Sequence, residues 1–295
     1  MRYTKWKDYE LLDTSDGNRL ERWGDIILLR PDPQVIWKTP KLLPEWNNYS
    51  AVYHRSSKGG GAWETKKHVP ESWKISYKNL NFNIKMMNFK HTGIFPEQAV
   101  NWDWSYSLIK NRIRLLKEKG IDRPVKVLNL FAYTGGATMA AAAAGAEVVH
   151  VDASKGMVAW AKENAVSSGL GDAHIRWLVD DCGKFVEREI RRGSKYDAII
   201  MDPPSYGRGP KGEIWKIEDS IYPFVKLCSN VLCDEPLFVL INSYTTGFQP
   251  AVLQNIIGRT VVSRFGGQVD AQEVVLPVRA GGVLPCGASG RWQKD

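Results

Sequence analysis

Two rhythms of apolar and polar positions alternate through the second half of this chain. Short, nearly continuous apolar runs occupy 125–131, 147–152, 174–179, 196–201 and 237–241, the pattern of strands buried on both faces. Between several of them, apolar residues recur at helical spacing over about 137–144, 154–167 and 217–232. Strands separated by helices at this interval predict βαβ units and a mostly parallel sheet. A further helix is expected over 105–119, where Leu108, Ile109, Ile113, Leu115 and Leu116 recur and Gly120 ends it. The runs at 273–278 and 282–285 have no helix between them and predict a closing antiparallel hairpin.

The first hundred residues read differently. Short runs at 25–30, 35–37, 73–77 and 80–84 are broken by Pro31, Pro33, Pro40 and the pair Lys78-Asn79, and predict small strands. Residues 57–61, rich in glycine, predict a flexible loop. The chain is thus expected to divide into a β-rich substrate-recognition module over 1–90 and an α/β domain over 91–295. No run approaches the roughly 20 apolar residues that span a bilayer, and the first residues lack the apolar stretch of a secretory signal. Cys182, Cys228, Cys233 and Cys286 fall in no metal-ligand spacing and are too few for a disulfide framework. A cytoplasmic protein without a metal is the expectation.

Charge changes the picture more than composition does. The net charge is +8, and all of it lies in residues 1–124, which carry 22 Lys/Arg, 14 Asp/Glu and 8 of the 12 tryptophans. Cations interleaved with aromatics suit RNA, where they meet phosphates and stack on bases. Alternatively, the tryptophans build a small core and the lysines solvate its outside.

Candidate chemistry clusters at strand ends. Asp202-Pro203-Pro204-Ser205 follows the run Ala198-Ile199-Ile200-Met201. Two prolines make a stiff turn that cannot extend the strand, leaving the Asp202 carboxylate and the proline carbonyls as acceptors. Carboxyl ends of parallel strands are where open α/β sheets bind ligands, although a turn closed by two prolines is the plainer reading. Earlier, Ala132-Tyr133-Thr134-Gly135-Gly136 turns from strand into helix, presenting helix N–H groups to an anion. It is not G-x-G-x-x-G, which counts against a dinucleotide. Asp152 stands 17 residues after Gly135, where an acid can accept from ribose hydroxyls. Asp180-Asp181-Cys182 ends the third strand, where a carboxylate can accept from an adenine amine. Each acid alone also fits a strand-end cap.

In that order, Val127-Leu128-Asn129-Leu130-Phe131-Ala132-Tyr133-Thr134-Gly135-Gly136, Val151-Asp152-Ala153-Ser154, Asp180-Asp181 and Met201-Asp202-Pro203-Pro204 resemble class I S-adenosylmethionine-dependent methyltransferases. The nearest group is similar to the bacterial large-subunit ribosomal RNA methyltransferases that modify cytosine C5 or guanine N7. His91-Thr92-Gly93-Ile94-Phe95-Pro96-Glu97-Gln98 also resembles that group's Thr-Gly-x-Phe-x-x-Gln segment. The resemblance covers about 90–245. It implies a Rossmann-like methyltransferase fold, a mostly parallel seven-stranded sheet with a C-terminal antiparallel hairpin, and S-adenosyl-L-methionine as cofactor. It further implies that Phe95, Gln98, Asn129, Phe131, Tyr133, Thr134, Gly135, Asp152, Ala153, Asp181, Cys182 and Asp202 line the cofactor site. The N-terminal module does not resemble the RNA-binding domain those enzymes usually carry.

The acceptor atom divides the remaining possibilities. Cytosine C5 is not nucleophilic, so its methylation needs thiolate attack on the ring. In the cytosine enzymes the resemblance places that cysteine just after the fifth strand, where this chain reads Ile241-Asn242-Ser243-Tyr244-Thr245. Cys182, Cys228 and Cys233 read as structural thiols. A nitrogen needs only alignment or acceptors for its hydrogens, which Asp202, Pro203 and Pro204 offer. Tyr206 either stacks on a flipped base or anchors its loop, and Asn242 can meet a base edge. Arg208, Lys211 and Lys216 either contact phosphate or are simply solvated. The leading expectation is methylation of a base nitrogen in ribosomal RNA. A methyltransferase for protein or small molecules, a cytosine-C5 enzyme, and a non-catalytic nucleic-acid-binding protein are the alternatives.

Overall fold

The computed structural model describes residues 1–56, 60–208 and 214–294. The chain forms two compact units, one of Met1, Val100–Val274 and Gly287–Asp295, the other of Arg2–Ala99 with Val275–Cys286.

The N-terminal elements are β1 (Tyr9–Ser15), β2 (Asn18–Trp23), β3 (Ile26–Pro31), β4 (Ala51–Arg55), β5 (Gly61–Thr65), β6 (Trp73–Tyr77) and β7 (Leu80–Ile84). The first five form a sheet in chain order, and β6 and β7 form a hairpin turning at Lys78-Asn79. The run 35–37 is not a strand. Its Val35 and Trp37 carbonyls instead accept from Gly17 and Asp16 in the β1–β2 turn. β1 and β2 escaped the sequence reading because a bulge between Leu11 and Asp13 breaks the period of two. Their sheet also buries charge: Arg30 makes a bidentate pair with Glu21 at 2.6 and 2.8 Å, and Tyr9 Oη donates to the same carboxylate. Burial opposes ionisation of Glu21, but Arg19 and Arg30 outweigh it and hold the carboxyl at about 2. The tryptophans here are interior or half-buried. Those of Trp6, Trp37, Trp46, Trp63 and Trp73 donate their indole N–H within the unit. They build a core, and stacking on a base is left to other rings.

The second half supplies α1 (Ala99–Glu118), β8 (Lys126–Leu130), α2 (Gly136–Ala143), β9 (Glu147–Asp152), α3 (Lys155–Ser167), β10 (Ile175–Val179), α4 (Cys182–Arg191) and β11 (Ala198–Met201). After the short pair β12 (Tyr206–Arg208) and β13 (Ile214–Lys216) come α5 (Ile217–Cys228), β14 (Phe238–Ser243) and α6 (Pro250–Ile257). A π-helical turn, Gly258–Val262, and α7 (Ser263–Phe265) lead to β15 (Gln268–Pro277) and β16 (Val283–Gln293). Among the described residues the sheet has seven strands in the order β10-β9-β8-β11-β14-β16-β15. β8 pairs in parallel with β9 and β11, β10 with β9 and β14 with β11, whereas β16 runs antiparallel to β14. The expected architecture is present.

Both faces of the central strands are covered, which explains their nearly continuous apolar runs. Val127, Val148, Ala198, Ile200 and Leu240 pack with Ile109 of α1 and Ala141 of α2. Leu128, Leu130, Ile199, Met201 and Ile241 pack with Phe185, Ile221 and Leu253 from α4, α5 and α6. β16 is longer than 282–285 because close packing, not apolarity, shapes it. A Cβ at Gly287 would fall 2.5 Å from the Ser243 carbonyl, and one at Gly290 2.7 Å from Ile257 Cδ1.

Candidate functional site

Strand register aligns the carboxyl ends on one edge. Leu130 pairs with Val151 and Met201, Met201 pairs with Ile241, and Asp152 pairs with Val179. The segments after β8, β9, β10, β11 and β14 therefore leave from the same edge. Between β8 and β11 the strand order reverses, the switch point at which such sheets bind ligands. This edge gathers Phe131, Tyr133, Thr134, Gly135, Asp152, Ala153, Asp181, Cys182, Asp202 and Asn242. Phe95 and Gln98 belong to the other unit, where they flank the 3-10 turn Pro96–Gln98. There Gln98 is buried and Phe95 lies edge-on to His91 at 5.3 Å.

The turn after β8 is conformationally strained. Phe131 and Tyr133 have φ of +53° and +51°, and Gly135 has +84°. For non-glycine residues such angles cost roughly 1–3 kcal/mol each and persist only where surroundings enforce them. Gly135 is the N-cap of α2 and supplies no side-chain cap. The helix therefore begins with N–H groups suited to a carboxylate. Gly136 answers to packing: a Cβ there would fall 2.5 Å from the Trp102 ring.

Asp152 is half-buried and accepts from Tyr133 N and Ser154 N, both at 2.8 Å. Burial raises its pKa, and the two N–H bonds partly offset this. A carboxylate has about four acceptor positions, so two N–H bonds leave capacity for hydroxyl donors. Asp181 is exposed and caps α4, with Oδ1 accepting from Lys184 N at 2.8 Å. N–H groups without a side-chain cap, on the same sheet edge as two carboxylates, match a ligand bearing a carboxylate, a diol and an amine, the groups of an aminoacyl-nucleoside such as S-adenosylmethionine.

Several expected side chains are turned inward. Asn129 Nδ2 donates to Thr138 Oγ1, which also bonds His150 Nδ1 at 2.9 Å, and all three are buried. Thr134 and Cys182 are buried, so only their backbone can face the edge. Asn242 is 4% exposed, and its Oδ1 accepts from Asn101 Nδ2, whose own Oδ1 accepts from Arg291.

In the turn after β11, Asp202 is half-buried, Pro203 buried, and Pro204, Ser205 and Tyr206 exposed. The Pro204 carbonyl does not stand open, because Trp215 Nε1 donates to it at 2.7 Å. Trp215 in turn packs on Phe131 and Phe224, with ring centroids 5.4 and 5.5 Å away. Ser205 Oγ lies 2.6 Å from Thr245 Oγ1, joining the turn after β11 to the segment after β14. Tyr206 sits on β12 opposite Lys216. Lys211 lies outside the described residues. Trp215, Ser205 and Thr245 had no signal in the sequence beyond their proximity to Asp202 and Asn242.

No described cysteine is activated. Burial raises the thiol pKa of Cys182, Cys228, Cys233 and Cys286 alike. No cluster of three or more His, Cys, Asp or Glu among the described residues could hold a metal ion. No helix among them is long and apolar enough to cross a membrane.

Comparisons with known proteins agree with this geometry. The ribosomal RNA large subunit methyltransferase K/L of Chromohalobacter salexigens is 29% identical over 180 residues, 60% of this chain and 22% of that protein. A protein of the same name from a Shewanella species is 31% identical over 134 residues, 45% of this chain and 17% of that protein. The chain thus spans only about a fifth of the length of these curated relatives. The crystal structure of an S-adenosylmethionine-dependent methyltransferase from Agrobacterium tumefaciens superposes with a TM-score of 0.89. It is 37% identical, over 99% of this chain and 92% of that one. The family model for S-adenosylmethionine-dependent methyltransferases matches residues 47–247, and the chain belongs to that family.

Proposed function

We propose that this chain methylates a base nitrogen in RNA, with ribosomal RNA as the substrate class. The observation that carries the reading is the Asp202-Pro203-Pro204 turn. It sets a half-buried carboxylate on the same sheet edge as Asp152 and the strained cofactor loop. Bound there, S-adenosylmethionine supplies a methyl group on a positively charged sulfur.

In this reading the chain's residues divide the work. Asp152 accepts from the ribose hydroxyls, Asp181 accepts from the adenine amine, and the α2 N-terminus faces the methionine carboxylate. Asp202 and the Pro203 carbonyl accept the hydrogens of an exocyclic amine, turning its lone pair toward the methyl carbon. As the N–C bond forms and the C–S bond breaks, the surplus proton passes from nitrogen to the Asp202 carboxylate. Tyr206, half exposed, stacks on an extruded base in this reading. The names of the curated relatives and the excess positive charge of residues 1–124 support RNA. Residues 1–90 then serve as the substrate-recognition module and 91–295 as the catalytic domain.

A nitrogen acceptor is favoured over cytosine C5 because all four thiols are held protonated by burial. The test is transfer of isotope-labelled methyl from S-adenosylmethionine to RNA and protein from a deletion strain, followed by nucleoside mass analysis. We expect label in an N-methylated nucleoside. Label confined to protein, or in 5-methylcytidine, would overturn the proposal.

A further inference from the structure

Several backbone groups of the turn after β8 have partners in the fold, and two of those partners are buried side chains from helices. Ala132 N donates to the Val151 carbonyl at 3.1 Å, and Gly135 N to the Ala132 carbonyl at 3.0 Å. Tyr133 N donates to Asp152. The other two ties come from helices. Phe131 N donates to Cys182 Sγ at 3.3 Å, and the same sulfur lies 3.9 Å from the Val151 carbonyl, toward which its S–H points. Asn164 Nδ2 of α3 donates to the Thr134 carbonyl at 2.9 Å. Cys182 is 4% exposed and Asn164 fully buried.

We infer that Cys182 and Asn164 are positioning residues, which hold the strained turn 131–135 in its cofactor-ready conformation from beneath. The inference rests on the proposed reading of this turn as cofactor-binding. Phe131 and Tyr133 keep a left-handed conformation that their side chains disfavour, and a neighbouring group must therefore bind that conformation selectively. Cys182 does so for Phe131. It is the first residue of α4, which Asp181 caps, so the cap that sets the helix start also aims the sulfur. Burial keeps the thiol protonated. It can thus donate to Val151 while its lone pair accepts from Phe131, a bridge that a thiolate could not make. Asn164 does the same for the carbonyl that precedes Gly135, from a helix whose buried face is otherwise apolar at Val158, Trp160, Ala161 and Ala165. Neither side chain touches the ligand in this account. Both act through the backbone that does.

The test pairs deletion with retention of the bond. Cys182→Ala and Asn164→Asp remove an acceptor and a donor, whereas Cys182→Ser keeps an oxygen acceptor. Two readouts apply: the Kd for S-adenosylmethionine by calorimetry, and hydrogen exchange of the amides of 131–135 by mass spectrometry. We expect Cys182→Ala and Asn164→Asp to raise Kd about tenfold and to exchange the turn faster, with β8 still protected. Cys182→Ser should stay near the parent in both. Should the alanine variant fold poorly, Cys182→Val, which fills the space without a lone pair, is to repeat its effect. Unchanged affinity and exchange in the alanine and aspartate variants, or a serine variant as weak as the alanine, would overturn the inference. Asp152→Ala serves as the separate control. If that variant binds the cofactor as the parent does, the reading of the turn itself fails, whatever the tethers show.

Discussion

Gly136 illustrates how a motif residue can serve packing while its neighbours form the strained turn proposed to meet the cofactor. The expected Gly135-Gly136 pair divides into a left-handed cap at +84° and a contact surface for Trp102. Gly136→Ala should therefore destabilise the fold by about 1–3 kcal/mol, read as a lowered urea midpoint, and Trp102→Leu in the same chain should recover part of the loss. The placement of the candidate residues along one sheet edge was legible in the sequence because backbone turns and strand-end acids leave fixed spacings. Side-chain direction was not. Asn129 and Asn242 stand at the expected positions but point into buried networks, and Thr134 is itself buried. The Pro204 carbonyl, expected to be open, is taken by Trp215 from eleven residues away. Asn164 carried the one missed signal, an amide on the apolar face of a helix.

Elements with regular periods were readable, and those governed by bulges or close packing were not. The five parallel strands fall where the apolar runs placed them, the central ones because burial on both faces leaves few polar positions. β1 was hidden by its bulge, and β16 by the small residues that let Ser243 and Ile257 approach. α4 is the exception among the regular elements: Cys182, Phe185, Val186 and Glu189 recur at helical spacing behind the Asp181 cap, a period not included among the expected helices. Three elements are joined by the buried chain Asn129 on β8, Thr138 on α2 and His150 on β9. Thr138→Val keeps the shape but leaves Asn129 and His150 without this partner. It should cost about 2–3 kcal/mol in urea unfolding, and a loss below about 0.5 kcal/mol would contradict the network's role.

Across the whole molecule, charge predicted less than it promised and buried histidine predicts more. The tryptophans of the basic N-terminal part are core residues, so any RNA contact there rests on cations and on exposed rings such as Phe89. Two histidines resist protonation in the folded chain. Burial lowers His91 to about 4, helped by Arg30 and Lys90, and burial alone lowers His150 to about 3. The unfolded chain protonates them near 6.5, so below that pH the unfolded state binds more protons and stability falls with acidification. Each histidine contributes a slope of about 1.4 kcal/mol per pH unit over its own window, from 6.5 down to its folded value. Raised carboxyls such as Asp152 and Glu97 act in the opposite sense at lower pH. Urea midpoints measured from pH 7 to pH 5 should decline, and His150→Gln should flatten the decline. A profile parallel to the parent's would contradict this assignment.

The proposed division of labour runs along one sheet edge, with cofactor held at Asp152 and acceptor met at Asp202. The most direct test measures S-adenosylmethionine affinity by calorimetry and methyl transfer to RNA in Asp152→Ala and Asp202→Ala side by side. The account predicts that Asp152→Ala weakens cofactor binding about tenfold or more. It predicts that Asp202→Ala binds cofactor as the parent does and transfers no methyl group. Equal loss of cofactor affinity in both variants, or full transfer by Asp202→Ala, would contradict it.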